Sequence, residues 1–131
     1  MNYLADTHIL VWALNQPSRL SQAARTAVLD PDAEVFYSPV SLWEIAIKHG
    51  LGKMSLAGHT PEEFLETVQA SLFRALPLES AQLASSYRLP RHHSDPFDRL
   101  LVWQAIQENL TLITSDKNLA VYQADGLTLL Q

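Results

Sequence analysis

Four carboxylates, Asp6, Glu44, Asp98 and Asp116, stand where short apolar runs and helical patterns meet along this 131-residue chain. Asp6 ends the apolar run Tyr3 to Ala5, and Asp116 follows the β-forming run Leu110 to Thr114. Glu44 falls in the first turn of a helical pattern read from Ser41 to His49, and Asp98 in the first turn of one that begins at Pro96. Carboxylates gathered in one place raise each other's pKa and repel unless a cation compensates. Mg²⁺ or Mn²⁺ suits such a set, since hard divalent ions take oxygen ligands in octahedral geometry and keep several waters. That is the equipment of a phosphodiester hydrolase: water made nucleophilic, and charge stabilised on a phosphoryl oxygen.

Each acid also has a plainer explanation. Ser41 and Glu44 have capping-box spacing, and Glu44 with Lys48 forms an i,i+4 pair. Asp98 complements a helix dipole, Asp95 reads as the N-cap before Pro96, and Asp116 could cap the segment after it. Asp6 is hardest to dismiss, because an acid just beyond a buried strand is costly unless it is paired. The case rests on the set. The histidines lack a zinc spacing: no pair stands at helical i,i+4, and adjacent His92 and His93 point apart, as surface residues that touch phosphate when protonated. Trp12, Trp43 and Trp103 each lie in apolar helical patterns, which favours core packing over base stacking.

The elements that must position these acids alternate. A strand at Tyr3–Ala5 precedes a helix from His8 to Asn15, and Ser21 caps a helix from Gln22 to Leu29. Val35 to Tyr37 reads as a strand broken at Ser38-Pro39, and the helix to His49 stops at Gly50 and Gly52. Thr60-Pro61-Glu62-Glu63 opens a helix to about Leu72: a cap, proline at the first position, then acids. Arg74 to Leu78 fits an edge strand because of its proline. Helices follow at Ser80–Tyr87 and Phe97–Glu108, then a strand at Leu110–Thr114, a short helix at Lys117–Tyr122 and a last strand at Leu127–Leu130. Strand–helix alternation implies right-handed crossovers and a three-layer α/β fold with a mostly parallel central sheet flanked by helices. Such sheets build their sites beyond the carboxyl ends of the strands, where all four acids fall.

Composition bounds the rest. The chain is 47% hydrophobic and 18% charged and has no repeat or linker, so residues 1–131 read as one globular domain. Without cysteine it has no disulfide and no thiolate site, which fits a reducing cytoplasm. Met1 to Asp6 lacks the charge and apolar length of a signal peptide, and the apolar run Ile9–Leu14 is too short to cross a membrane. A net charge of −5 speaks against nucleic acid, yet four of the fourteen acids are the proposed ligands. Arg88, Arg91, His92, His93 and Arg99 also form a local basic cluster.

Four blocks carry a resemblance: Leu4-Ala5-Asp6-Thr7-His8; Ser41 through Lys48; Leu89 through Leu101 with Gln104-Ala105; and Leu112-Ile113-Thr114-Ser115-Asp116. In order and spacing the chain resembles a PIN domain, of the VapC family of toxins from type II toxin–antitoxin pairs, along essentially its whole length. The resemblance implies an endoribonuclease that uses Mg²⁺ or Mn²⁺, forms a homodimer and is held inactive by a cognate antitoxin. Its acidic tetrad falls on Asp6, Glu44, Asp98 and Asp116, with Glu44 reaching the ion directly or through water. Asp95 would assist through water, and Thr7 and Thr114 match hydroxyl positions beside the family's site. His8 stands where many relatives carry Asn, and Ser94 where a basic residue is common. Lys48, Arg91, Arg99, His92 and His93 are the candidates to hold RNA. The implied reaction is in-line attack of water on the phosphodiester, leaving a 5′-phosphate and a 3′-hydroxyl.

Three other readings are open at this point. A phosphotransferase would use Asp6 as nucleophile, but His8 stands where a second aspartate is usual. A non-catalytic PIN-like module would only bind a partner protein. A DNA nuclease would employ the same acids.

Overall fold

A strand buried on both faces needs apolar side chains pointing both ways, and the first strand supplies them. In the computed structural model, which describes residues 1–131, β1 (Asn2–Ala5) lies at the centre of a five-stranded sheet. Beside it run β2 (Glu34–Tyr37) and β4 (Thr111–Ile113), and outside those β3 (Arg74–Ala75) and β5 (Thr128–Leu130), in the order β3-β2-β1-β4-β5. Every pairing is parallel. The expectation of a mostly parallel sheet is met in full, and the proline-limited Arg74 segment is the edge strand.

Alternation along the strands divides the core into two layers. Tyr3, Ala5 and Ile113 face one cluster, with Ile9, Leu10 and Val11 of α1 (Thr7–Asn15), Ala24 and Ala27 of α2 (Gln22–Leu29), and Phe64 and Val68 of α4 (Pro61–Ala70). Leu4 and Leu112 face the other, with Leu101, Val102 and Ala105 of α6 (Pro96–Gln107), and Leu119 and Tyr122 of the 3-10 segment Lys117–Asp125. α3 (Pro39–Gly50) serves both, placing Ile45 in the first cluster and Val40 in the second. The short α5 (Ser80–Ser85) packs beside α6, where Ser85 accepts from Trp103 Nε1 at 3.1 Å. No helix is long and apolar enough to cross a membrane.

Helix starts follow their caps. Ser21 accepts from Ala24 N at 3.0 Å, and Thr60 and Glu63 make a reciprocal capping box. α3 begins earlier than the sequence pattern indicated. Pro39 is its first residue, preorganised there by its fixed φ, and Ser38 is the cap, accepting from Val40 N at 3.2 Å. Glu44 therefore sits in the second turn rather than the first, and Ser41–Glu44 is not a capping box. Trp43 also departs from expectation: it is 62% exposed, outside both clusters, and touches Phe97 edge-on. Trp103 is buried as expected, and Trp12 lies half-buried at the margin of the first cluster.

Candidate active site

The carboxyl ends of β1 and β4 open into a cleft of about 310 Å³, and its walls are charged: Asp6, Glu44, Lys48, Asp95, Asp98 and Asp116 all line it. His8, Trp12 and Ser115 complete the lining. All four sequence-predicted acids are thus brought to one place from β1, α3, α6 and the end of β4.

Asp6 continues β1, its N–H still donating to Ile113 O at 2.9 Å, and it caps α1. Its side chain is nearly buried, at 4% exposure. Oδ1 accepts from Thr7 N at 2.6 Å and Oδ2 from Thr114 Oγ1 at 2.6 Å. Burial pushes the Asp6 carboxyl above its ordinary range, against the opposing pull of those two donors and of His8. Thr114 in turn accepts from Asp116 N at 3.0 Å, so one hydroxyl ties the β1 acid to the β4 acid.

Glu44 is 2% exposed, and both its oxygens are engaged. Thr7 Oγ1 lies 2.6 Å from Glu44 Oε1 and 2.9 Å from Ser41 Oγ. A hydroxyl has one proton to give, so Thr7 donates to the carboxylate and accepts from Ser41. Oε2 takes the Lys48 ammonium at 2.5 Å, one helical turn on. The i,i+4 pair expected from the sequence is present, but the rest of the network is long-range. Burial alone would lower the Lys48 pKa; the bond to Glu44, with Asp95 and Asp98 beyond, outweighs it and raises it.

The pKa of Asp98 is also raised. Burial, then the charges of Asp6 and Asp95, push its carboxyl up to about 7, although its bond to His93 pulls the other way. Asp95 caps α6, accepting from Phe97 N at 2.8 Å and Asp98 N at 3.3 Å through one oxygen. Asp116 likewise caps the segment after it, accepting from Asn118 N at 2.9 Å. The capping explanations therefore hold for Asp95 and Asp116 without removing either from the cleft.

The basic candidates separate by position. Lys48 lies in the cleft and Arg91 is exposed. Arg99 directs its guanidinium to Leu89 O, Pro90 O and Tyr122 Oη, holding the loop before α6. His92 packs on the Tyr122 ring, with Nε2 3.2 Å from Asp125 Oδ2, near enough for an ion pair though not aligned as a hydrogen bond. His93, read from the sequence as a surface residue, instead turns inward, Nε2 lying 3.0 Å from Asp98 Oδ2. One donor atom each of His93, Asp98 and Asp116 falls within 4.8 Å of the others. No spacing rule could have found that grouping, because it depends on how the loop before Asp95 folds. Ser41 was likewise missed, since its partner Thr7 lies on another helix.

Residues 3–125 match the PIN domain family. The chain belongs to that family. A relative, Ribonuclease VapC22 of Mycobacterium tuberculosis (strain ATCC 25618 / H37Rv), is 30% identical over 117 residues, covering 88% of each protein. Among solved structures, VapBC2 of Rickettsia felis bound to a DNA fragment from its promoter aligns with TM-score 0.69 at 19% identity, over 99% of this chain and 98% of that one. VapBC-1 of nontypeable Haemophilus influenzae aligns with TM-score 0.68 at 18% identity, over 100% and 98%. The shared architecture is that of the VapC proteins.

Proposed function

We propose that this chain is the toxin of a toxin–antitoxin pair, working as a single PIN domain that cleaves RNA with the help of Mg²⁺ or Mn²⁺. Asp6, Glu44, Asp98 and Asp116 are its catalytic acids. The observation that carries the reading is the gathering of Asp6, Glu44, Asp98 and Asp116 in one cleft, two of them nearly inaccessible to water, where burial and neighbouring charge raise the Asp98 carboxyl. An arrangement so short of positive charge is suited to a divalent cation. The donors fit one: Asp6, Asp98 and Asp116 supply hard oxygen ligands, each carboxylate oxygen keeping a lone pair beside any hydrogen bond it accepts, while Glu44 acts directly or through water and Asp95 assists through water. Such an ion, when bound, supplies Lewis acidity at the phosphate and makes water nucleophilic at neutral pH.

The protein's own contribution is orientation. Thr7 N and Thr114 Oγ1 fix the Asp6 carboxylate, and Thr7 Oγ1 and Lys48 fix Glu44. Lys48 and the exposed Arg91 supply positive charge to the RNA backbone. His92, His93 and Arg99, the other basic candidates, border the same loop; Arg99 acts there mainly through the loop it holds. Attack in line with the leaving oxygen would leave a 5′-phosphate. A nucleophilic role for Asp6 is disfavoured, because His8 stands two residues on, where a phosphotransferase would carry a second aspartate.

The relatives named VapBC support a paired antitoxin as partner. An acidic cleft suits a cationic side chain such as arginine as the inhibitory contact. A second cleft, lined by Ala13, Leu14, Val28, Leu29, Leu72 and Phe73 near the start of β2, is apolar and suits the antitoxin's hydrophobic residues. Trp43 and Leu83, both exposed, line one shallow apolar hollow between α3, α5 and α6, and that surface suits a homodimer contact.

The test is cleavage of matched single-stranded RNA and DNA by purified protein, with Mg²⁺, with Mn²⁺ and with chelator. Metal-dependent cutting of RNA alone is expected. Preferential cutting of DNA would make this a DNA nuclease, and an inert protein would leave only a binding module.

A further inference from the structure

His93 has no part in the acidic tetrad, yet its ring is held at the tetrad's edge. Its backbone N–H donates to Tyr122 Oη at 3.0 Å, and the Tyr122 side chain is fully buried. Arg99 ties the same loop to that hydroxyl and to the carbonyls of Leu89 and Pro90, at 3.3, 3.1 and 3.0 Å respectively. Asp95, two residues on, is fixed by capping α6. The loop is anchored on both sides of His93, and the imidazole that results meets Asp98 at 3.0 Å. Adjacent His92 shows the contrast, since it packs on the Tyr122 ring beside Asp125.

Two neighbouring ligands of an octahedral ion with bonds of about 2.1 Å stand about 3.0 Å apart. His93 Nε2 and Asp98 Oδ2 have that separation already, held by a hydrogen bond whose one proton a cation would displace to solvent, and Asp116 offers an oxygen within 4.8 Å of both. Imidazole nitrogen suits Zn²⁺, Fe²⁺ and Ni²⁺ best, and Mn²⁺, though it shares the preference of Mg²⁺ for carboxylate and water, is the softer of those two and accepts a nitrogen more readily.

We propose that His93 is a nitrogen ligand of the ion held by Asp98 and Asp116, and that it makes this centre prefer Mn²⁺ to Mg²⁺. The inference rests on the acidic cleft being a metal site. It assigns to the loop before α6 a role in choosing the metal, separate from any contact with RNA.

The test is Mn²⁺ binding followed by pulsed electron paramagnetic resonance, with calorimetric titration of Mn²⁺ and Mg²⁺. Wild type, His93→Gln, His8→Gln and Asp98→Asn proteins are compared, each checked for folding by circular dichroism. Wild type and His8→Gln are expected to show nitrogen coupling to Mn²⁺, and His93→Gln to lose it. Mn²⁺ affinity should fall about tenfold or more in His93→Gln, with a much smaller change for Mg²⁺. Equal loss for both ions, or Mn²⁺ bound without nitrogen coupling in wild type, overturns the role of His93 and leaves the acidic site standing. No binding to wild type, or undiminished binding to Asp98→Asn, overturns the site and His93's role together.

Discussion

Two clefts of nearly equal size lie at opposite edges of the sheet, one beyond the carboxyl ends of β1 and β4 and one at the amino ends of β2 and β3. The acidic one, about 310 Å³, has a single hydrophobic residue among its nine. The other, about 290 Å³, lies near the start of β2 between Ala13, Leu14, Val28, Leu29, Leu72 and Phe73, and eight of its thirteen residues are hydrophobic. Volume does not distinguish them; what each costs the fold does. The apolar cleft leaves Leu72 89% and Leu29 69% exposed, surface that a partner protein can cover. The acidic cleft holds carboxyls at raised pKa, a strain that substitution relieves and a cation offsets. In the proposed function the apolar cleft serves a protein partner and the acidic cleft an ion and a phosphate.

The largest effect that separates the two clefts is on catalysis. Asp6→Ala or Asp98→Ala should lower RNA cleavage on the order of a thousandfold, measured by single-turnover assay, while Leu72→Asp leaves it unchanged. A Leu72→Asp protein with equally impaired cleavage would mean that the two ends are not independent. Next is partner binding: Leu72→Asp should weaken antitoxin affinity about tenfold to a hundredfold in a surface-binding assay, with metal binding intact. An unchanged affinity would remove the apolar cleft from the antitoxin interface.

Thr114→Val tests the hold on the acids. It deprives Asp6 Oδ2 of its donor and Asp116 N of its acceptor, the first nearly buried and the second half-buried. Denaturant unfolding should show a loss of about 1–3 kcal/mol, with cleavage reduced even at saturating metal. A neutral result would show that Asp6 is oriented by the backbone alone.

The effect most particular to the acidic end is on stability against pH. The Asp98 carboxyl is raised from 3.8 to about 7 in the folded chain, chiefly by burial. Its contribution to stability is fully present below the unfolded value and is lost as pH rises through about 7, where the fold must hold an ionised group it disfavours. Without divalent metal, Asp98→Asn should melt several degrees above wild type at pH 8, the gap narrowing through pH 7 and closing near pH 4. Equal melting temperatures at pH 8 would place Asp98 in a better-compensated setting than this geometry gives it.

Much of this architecture was legible because its signals are local. Ser21, Thr60-Pro61 and Asp95-Pro96 announce helix starts through side chains that cap within three residues, and the apolar runs at Tyr3 and Leu112 announce buried strands. The convergence of the four acids followed from topology, since a parallel sheet delivers its carboxyl ends to one edge. What stayed hidden depends on contacts remote in sequence. Ser41 matches a capping box in spacing, but Ser38 takes that role once Pro39 begins the helix, and Ser41 is free to meet Thr7. Trp43 has the pattern of a core residue, yet nothing in its own helix says that its face lacks a partner. His93 turns inward because Tyr122 and Arg99, both later in the chain, fix its loop.

The central claim, that the acids at the ends of β1, β4 and the start of α6 form one metal centre, is tested most directly by calorimetric titration of Mn²⁺ into wild-type and Asp6→Ala proteins. The account predicts saturable binding to wild type, accompanied by a rise in melting temperature, and none to a folded Asp6→Ala protein. Equal binding to both, or to neither at millimolar metal, would contradict it.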